Sequence, residues 1–204
     1  MAYRFKKAEL GVFRTRNSDL ALNGFKKGVR LMGLTDGDFS LIDLIYSTLK
    51  KTKSAHVVCV TWTCGIRDAF QAEWLLKNSG LVRSFNLVTD HSFKSREQGY
   101  ADTVTELFGV DNIRTTKIHA KFVLIHNEDY KVYIRTSMNL NGNRRIENFE
   151  IDENEEIFNF YLKFVEHLFD EMPKGFVINN GVVTKCVDKY FIENQKQISG
   201  WSEI

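Results

Sequence analysis

The chain has 204 residues, of which 43% are hydrophobic and sixteen are phenylalanine, enough for the packed core of one domain or of one domain with a small appendage. A net charge of only +2 excludes a blanket affinity for polyanions, so any nucleic-acid binding has to come from a local patch. Cys59, Cys64 and Cys186 are odd in number and form no Cys-x-x-Cys pair, which argues against a disulfide framework or a zinc site. Reduced thiols and a cytoplasmic location are the expectation, because the N-terminus lacks the apolar core of a signal peptide and no segment approaches the ~18 apolar residues of a membrane span.

Residues 1–27 are basic and mixed, with Arg4, Lys6, Lys7, Arg14, Arg16, Lys26 and Lys27. They suit an edge strand or an arm, or simply a solvated face. A strand is expected over 29–34, then a turn containing Asp36 and Asp38, which read as turn and helix-start charges rather than metal ligands. Ser40 caps a helix over 41–51, where Leu41, Leu44, Ile45 and Leu49 have helical spacing. A short buried strand over 56–61 runs into Trp62-Thr63-Cys64-Gly65. Loops at strand C-termini bind ligands in open α/β sheets, so Trp62 and Thr63 are candidates to line a site. The plainer alternative is that Trp62 packs and Gly65 makes the turn. Cys64 has no identifiable base beside it.

A helix over 68–77 and a strand over 81–89 follow. The polar loop 90–96 carries His91, Lys94 and Arg96; its cations suit contact with a phosphate backbone or plain solvation, and His91 is a candidate auxiliary acid, with a structural or exposed histidine as the plainer reading. A helix ends at Gly109, and a strand is expected over 113–116. Near the C-terminus, Asp152 or Asn154 starts a long helix whose stripe is Ile157, Tyr161, Phe164, Val165, Leu168 and Phe169. Pro173 and Gly175 stop it. Residues 176–183, around Asn179-Asn180-Gly181, read as a hairpin, so the expected division is a main domain over 1–172 and a C-terminal hairpin and tail over 173–204. Strands alternating with helices predict a mixed, mainly parallel sheet with helices on both faces.

The segment between these elements holds the chemistry. Residues 117–125 alternate like a strand, with His119 and Lys121 on one face. After a turn at 127–129, residues 130–135 form the return strand, followed by Ser137 and Asn139, again two apart. A third apolar-flanked segment carries Asn148 and Glu150. An imidazole, an ammonium, a hydroxyl, two amides and a carboxylate suit metal-free chemistry on a phosphate. Arg144 and Arg145 lie beside this set in sequence and are candidates for binding a substrate backbone.

In these residues the chain resembles the phospholipase D superfamily, whose pattern is His-x-Lys, four residues and Asp, then Gly-Ser-x-Asn, then Asn-x-Glu. His119 and Lys121, Ser137 and Asn139, and Asn148 and Glu150 match it. His126 stands in place of the Asp and Thr136 in place of the Gly. By strand parity His126 faces away from the His119 side. The resemblance implies a phospholipase D-like α/β/α sandwich over 1–172. It also implies a homodimer sharing one active site, because members use two His-x-Lys motifs per site and this chain has one. It further implies phosphodiester cleavage through a phosphohistidine at His119, with no cofactor and no metal. Lys121, Asn139 and Ser137 would hold the phosphate, and Glu150 would fix the imidazole. Compact single-motif chains of this kind are nucleases or related DNA-processing proteins, so DNA or RNA is the expected substrate. No stable membrane association is expected, since no amphipathic membrane-binding helix is evident. The alternatives are a nucleic-acid- or phosphate-binding protein with weak or lost catalysis, and a phosphodiesterase acting on lipid or small nucleotides.

Overall fold

A computed structural model of the chain describes residues 7–142, 144–177 and 179–195. In chain order its elements are β1 (Lys7–Phe13), α1 (Ser18–Ala21), β2 (Val29–Thr35), α2 (Leu41–Thr52), β3 (Ala55–Thr61), α3 (Ile66–Asn78), β4 (Val82–Asp90), α4 (Phe93–Arg96), α5 (Gln98–Phe108), β5 (Ile113–Thr116), β6 (Phe122–His126), β7 (Lys131–Thr136), β8 (Glu147–Glu153), α6 (Glu155–Glu171) and α7 (Asn180–Asn194). The strands form one sheet in the order β1-β2-β8-β7-β6-β3-β4-β5. Only β6 and β8 run against the others, so the sheet is mixed with most strands sharing one direction, as expected.

Alternation along the strands splits the apolar side chains between two layers. Val57, Cys59, Leu87, Val123, Ile125, Val132 and Ile134 face one way and pack with Leu41, Leu44 and Ile45 of α2 and Ala69 and Ala72 of α3. Val58, Val60, Val88, Phe122, Leu124 and Tyr133 face the other way, against Phe158, Val165 and Leu168 of α6. The result is an α/β/α sandwich. Among the described residues no helix is long and apolar enough to cross a membrane.

The helix starts follow local chemistry. Ser40 accepts from the Asp43 N–H while the Ser40 N–H donates to the Asp43 carboxylate, a reciprocal capping box. Asn154 caps α6 by accepting from the Ile157 N–H at 3.1 Å. Asp152 instead lies inside β8, fully buried, with Arg30 at 3.1 Å.

The expected hairpin at 176–183 does not form. Asn179 accepts from the Gly181 and Val182 N–H groups and caps α7. Asn serves turns and helix N-caps equally well; here the decision comes from Val183, Cys186 and Tyr190, whose helical spacing places them against α6. The linker before α7 closes the outer edge of β5, with the Gly175 N–H on the Ile113 carbonyl and Val177 bonded both ways to the Thr115 hydroxyl. Residues 173–177 and 179–195 thus pack on the same body as the sheet. The basic N-terminal region contributes β1, an edge strand parallel to β2.

Candidate functional site

The residues of interest gather along one rim of the sheet. The C-terminal ends of β2, β3, β4 and β7 meet there with the starts of β6 and β8. Two loops are laced together below it. The Gly65 N–H donates to the Leu140 carbonyl at 2.7 Å, the Leu140 N–H to the Thr61 hydroxyl at 3.1 Å, and the Gly142 N–H to Asp68 at 3.0 Å. A Cβ on Gly65 would lie 3.0 Å from that of Asn141, so glycine permits this approach.

His119 and Lys121 do not lie on a ladder strand, since β6 begins at Phe122. The alternation that placed them on one face therefore extends into an irregular segment that opens away from the sheet, and the structure holds it by other means. The Thr136 N–H donates to the Lys121 carbonyl, and the Asp90 carboxylate receives the Ile118 N–H at 3.1 Å. Burial alone would raise the Asp90 carboxyl, but its bonds from Ser92 and Ile118 outweigh this and hold it below the ordinary carboxylate value. The anchor of the segment is thus a carboxylate that stays ionised. Lys121 Nζ lies 3.2 and 3.3 Å from the two His119 ring nitrogens and donates to the His119 carbonyl at 2.8 Å. Burial lowers the Lys121 ammonium from its usual value, and Glu147 opposes that shift.

Ser137 donates its hydroxyl to Glu147 and receives the Asn148 N–H at 3.0 Å, while its own N–H donates to Asn148 Oδ1 at 3.1 Å. The Thr61 hydroxyl lies 3.4 Å from Asn139 Oδ1, but its single proton goes to the closer Thr63 carbonyl. The side-chain oxygen of Asn148 is therefore occupied, which leaves its NH2 group as a donor, and the Asn139 amide has an NH2 group to offer beside it in the motif. With the Lys121 ammonium they form a set of donors suited to non-bridging phosphate oxygens.

The carboxylate expected at this site is corrected. Glu150 is buried and paired to Arg135 and, at 3.2 Å, to Arg30, because β7 and β8 place Arg135 directly opposite it. It braces the sheet, and its expected bond to His119 is replaced by these two cations. The carboxylate that meets Ser137 on the rim is Glu147, three residues earlier. The motif spacing pointed past it, and only the β7–β8 register could reveal it.

Trp62 stands beside His119, their ring centroids 5.7 Å apart. Thr63 is buried, and its carbonyl receives the Thr61 hydroxyl at 2.9 Å, so it supports the loop. Arg144 lines a polar cavity of about 340 Å³ with Asp38, Asp43, Arg67 and Asp68. Arg145 is exposed, and among the described residues no hydrogen bond or ion pair ties either arginine to the His119 cluster. Thr136, standing where a Gly was expected, turns its hydroxyl to the backbone, donating to the Asn148 carbonyl at 2.6 Å and receiving the Met138 N–H at 3.0 Å. Cys64 is buried, which pushes its thiol well up and suits it to packing. Among the described residues no three His, Cys, Asp or Glu side chains converge as metal ligands.

No family model and no curated protein matches the sequence. Solved structures do. The chain is similar to Nuc from Salmonella typhimurium, a phospholipase D family member, with a TM-score of 0.51 and 11% identity over 71% of this chain and 96% of that one. NucT from Helicobacter pylori gives a TM-score of 0.50 and 13% identity over 71% and 99%. Polyphosphate kinase from Porphyromonas gingivalis gives 0.52 and 15% over 81% of this chain and 31% of its own length. At these identities the likeness lies in the fold, which is phospholipase D-like.

Proposed function

We propose that this protein is a metal-independent phosphodiesterase that cleaves DNA or RNA through a phosphohistidine on His119, two copies of the chain sharing one site. The observation that carries this reading is the pairing of His119 with Lys121 on a rim that also presents Ser137 and the side-chain amides of Asn139 and Asn148. The phospholipase D-like fold and the His-x-Lys and Ser-x-Asn residues support the same chemistry.

In the first step a neutral His119 ring nitrogen attacks phosphorus. The P–O bond to the leaving strand breaks as the second copy's His119 gives that oxygen a proton. In the second step the same imidazole takes a proton from water, whose oxygen attacks phosphorus and breaks the P–N bond. Lys121 and the Asn amides stabilise the charge that builds on the non-bridging oxygens. Glu147 orients Ser137 and balances the Lys121 charge; it is a positioning residue.

The two-copy reading follows from the single His-x-Lys motif of the chain; His91, after the end of β4, is turned to Asp90, with its Nδ1 3.6 Å from that carboxylate. Surface for a second copy lies alongside. Leu10 and Val12 of β1 are each 78% exposed, and with Met32 and Leu34 of β2 they form an uncovered apolar strip. Leu34 pairs with Asn148 in the ladder, so this strip continues into the site.

The test is cleavage of single- and double-stranded DNA, RNA and a bis-aryl phosphodiester in excess EDTA, with His119→Ala alongside. Cleavage that resists EDTA and disappears in the variant is expected. Saturable, salt-sensitive binding without products would replace this reading with that of a binding protein. Sedimentation of a Leu10→Glu/Val12→Glu variant checks the second copy: a monomer with sharply reduced turnover is expected.

A further inference from the structure

We propose that Arg96, backed by Trp62, forms a second phosphate subsite for the nucleotide chain, one or two residues along the strand from the phosphate attacked by His119. The inference rests on the nucleic-acid reading above and names a contact that the His-x-Lys and Ser-x-Asn residues do not supply.

The Arg96 guanidinium lies flat enough on Trp62 to sit 4.0 Å from its ring centroid, and Trp62 in turn meets His119. The arginine and the proposed nucleophile thereby share one indole ring as their neighbour. Its Nε donates to Ser92 Oγ at 3.1 Å, and Ser92 Oγ donates to Asp90. Asp90 is the same carboxylate that holds the Ile118 N–H next to His119. One buried acid therefore positions both the nucleophile's segment and this cation, so their separation is set by a shared anchor.

An arginine has five N–H donors in a planar fork. Ser92 takes one and Trp62 covers a face, which leaves the outer fork edge with both Nη groups. Among the described residues no acid pairs with Arg96, which is exposed; Asp90, the nearest acid in this chain of bonds, is already engaged by Ser92 and Ile118. A rigidly held guanidinium with a free edge matches the bidentate geometry of a phosphate. Arg96 and His119 both meet Trp62, so the phosphate that Arg96 takes is a neighbour of the scissile one. A small diester has no such neighbour.

The experiment compares Arg96→Ala and Arg96→Lys with wild type on an oligonucleotide and on bis(4-nitrophenyl) phosphate, both in EDTA. For Arg96→Ala, KM on the oligonucleotide is expected to rise about tenfold. That loss should exceed the loss on the aryl diester at least about fivefold. The slope of log KM against log salt should fall by about one. Arg96→Lys keeps the charge but not the fork, and should recover only part of the affinity. Equal losses on the two substrates, or no loss on the oligonucleotide, would overturn the subsite while leaving the nuclease reading intact. A wild type that cleaves the aryl diester but no nucleic acid would remove the nucleic-acid reading and the subsite with it.

Discussion

Strand β6 has a histidine three residues before its start and another at its end, and their surroundings are opposite. His119 is exposed on an irregular segment, with an ammonium at its ring edge and an indole beside it. His126 lies within the ladder, directly opposite His56, its ring 5.1 Å from that of His56 and 5.3 Å from Phe158. Burial, reinforced by His56, holds His126 below the ordinary value of 6.5. The same contrast separates Glu147, on the rim with Ser137, from Glu150, buried between Arg30 and Arg135. Residue type sets what a side chain can do. Its position relative to the end of the ladder decides whether that capacity faces the rim or the fold.

Five substitutions probe this contrast. The largest effect is expected from His119→Ala, which should lower turnover at least about a thousandfold while leaving the melting temperature close to wild type, because the side chain is exposed. Loss of folding in this variant would place His119 with the structural group. The two carboxylates should then separate in opposite directions. Glu147→Gln should lower kcat/KM about tenfold to a hundredfold through the misplaced Ser137 with little change in denaturant midpoint. Glu150→Ala should cost about 2 kcal/mol of stability by leaving Arg135 without its carboxylate and Arg30 with Asp152 alone. If Glu150→Ala unfolds nothing and abolishes cleavage, the assignment of the two acids is reversed.

A smaller effect is expected at Thr136. Its hydroxyl joins the end of β7 to β8 and closes the turn into Met138, so Thr136→Gly should destabilise by about 1–2 kcal/mol in urea titration. The smallest effect concerns pH. His126 has a folded pKa below its unfolded one, so as pH falls the unfolded chain takes up that proton first. Its contribution is intact above about pH 6.5 and declines as pH drops below that toward the lower folded value. The groups that bear on it are His56, Lys131, Arg83 and Glu128. His126→Gln should flatten the fall of stability in this window relative to wild type, measured by urea midpoints at a series of pH values.

Much of the architecture was legible because it rests on local periodicity. The capped helix at Ser40, the buried strand before Trp62 and the stripe from Ile157 to Leu168 all follow from spacing that any packed α/β body must satisfy. The hairpin expected at 176–183 failed because Asn-Asn-Gly fits a turn and a helix cap alike, and the choice was made by the apolar groove that α6 offers. The strand expected over 117–125 was too long because alternation continues through residues that have left the ladder.

By itself the sequence determined which chemical groups are present and how far apart they lie along the chain: His119 with Lys121, Ser137 with Asn139, and amphipathic helices to cover a sheet. Tertiary structure alone decided that Glu147 rather than Glu150 reaches the rim, because cross-strand register places Arg135 opposite Glu150 and the pairing of those buried charges fixes its direction. It alone brought Arg96 onto Trp62 beside His119. Those three residues are far apart in sequence and meet only where the ends of β3, β4 and β6 share one rim, a consequence of the sheet order that no local pattern encodes.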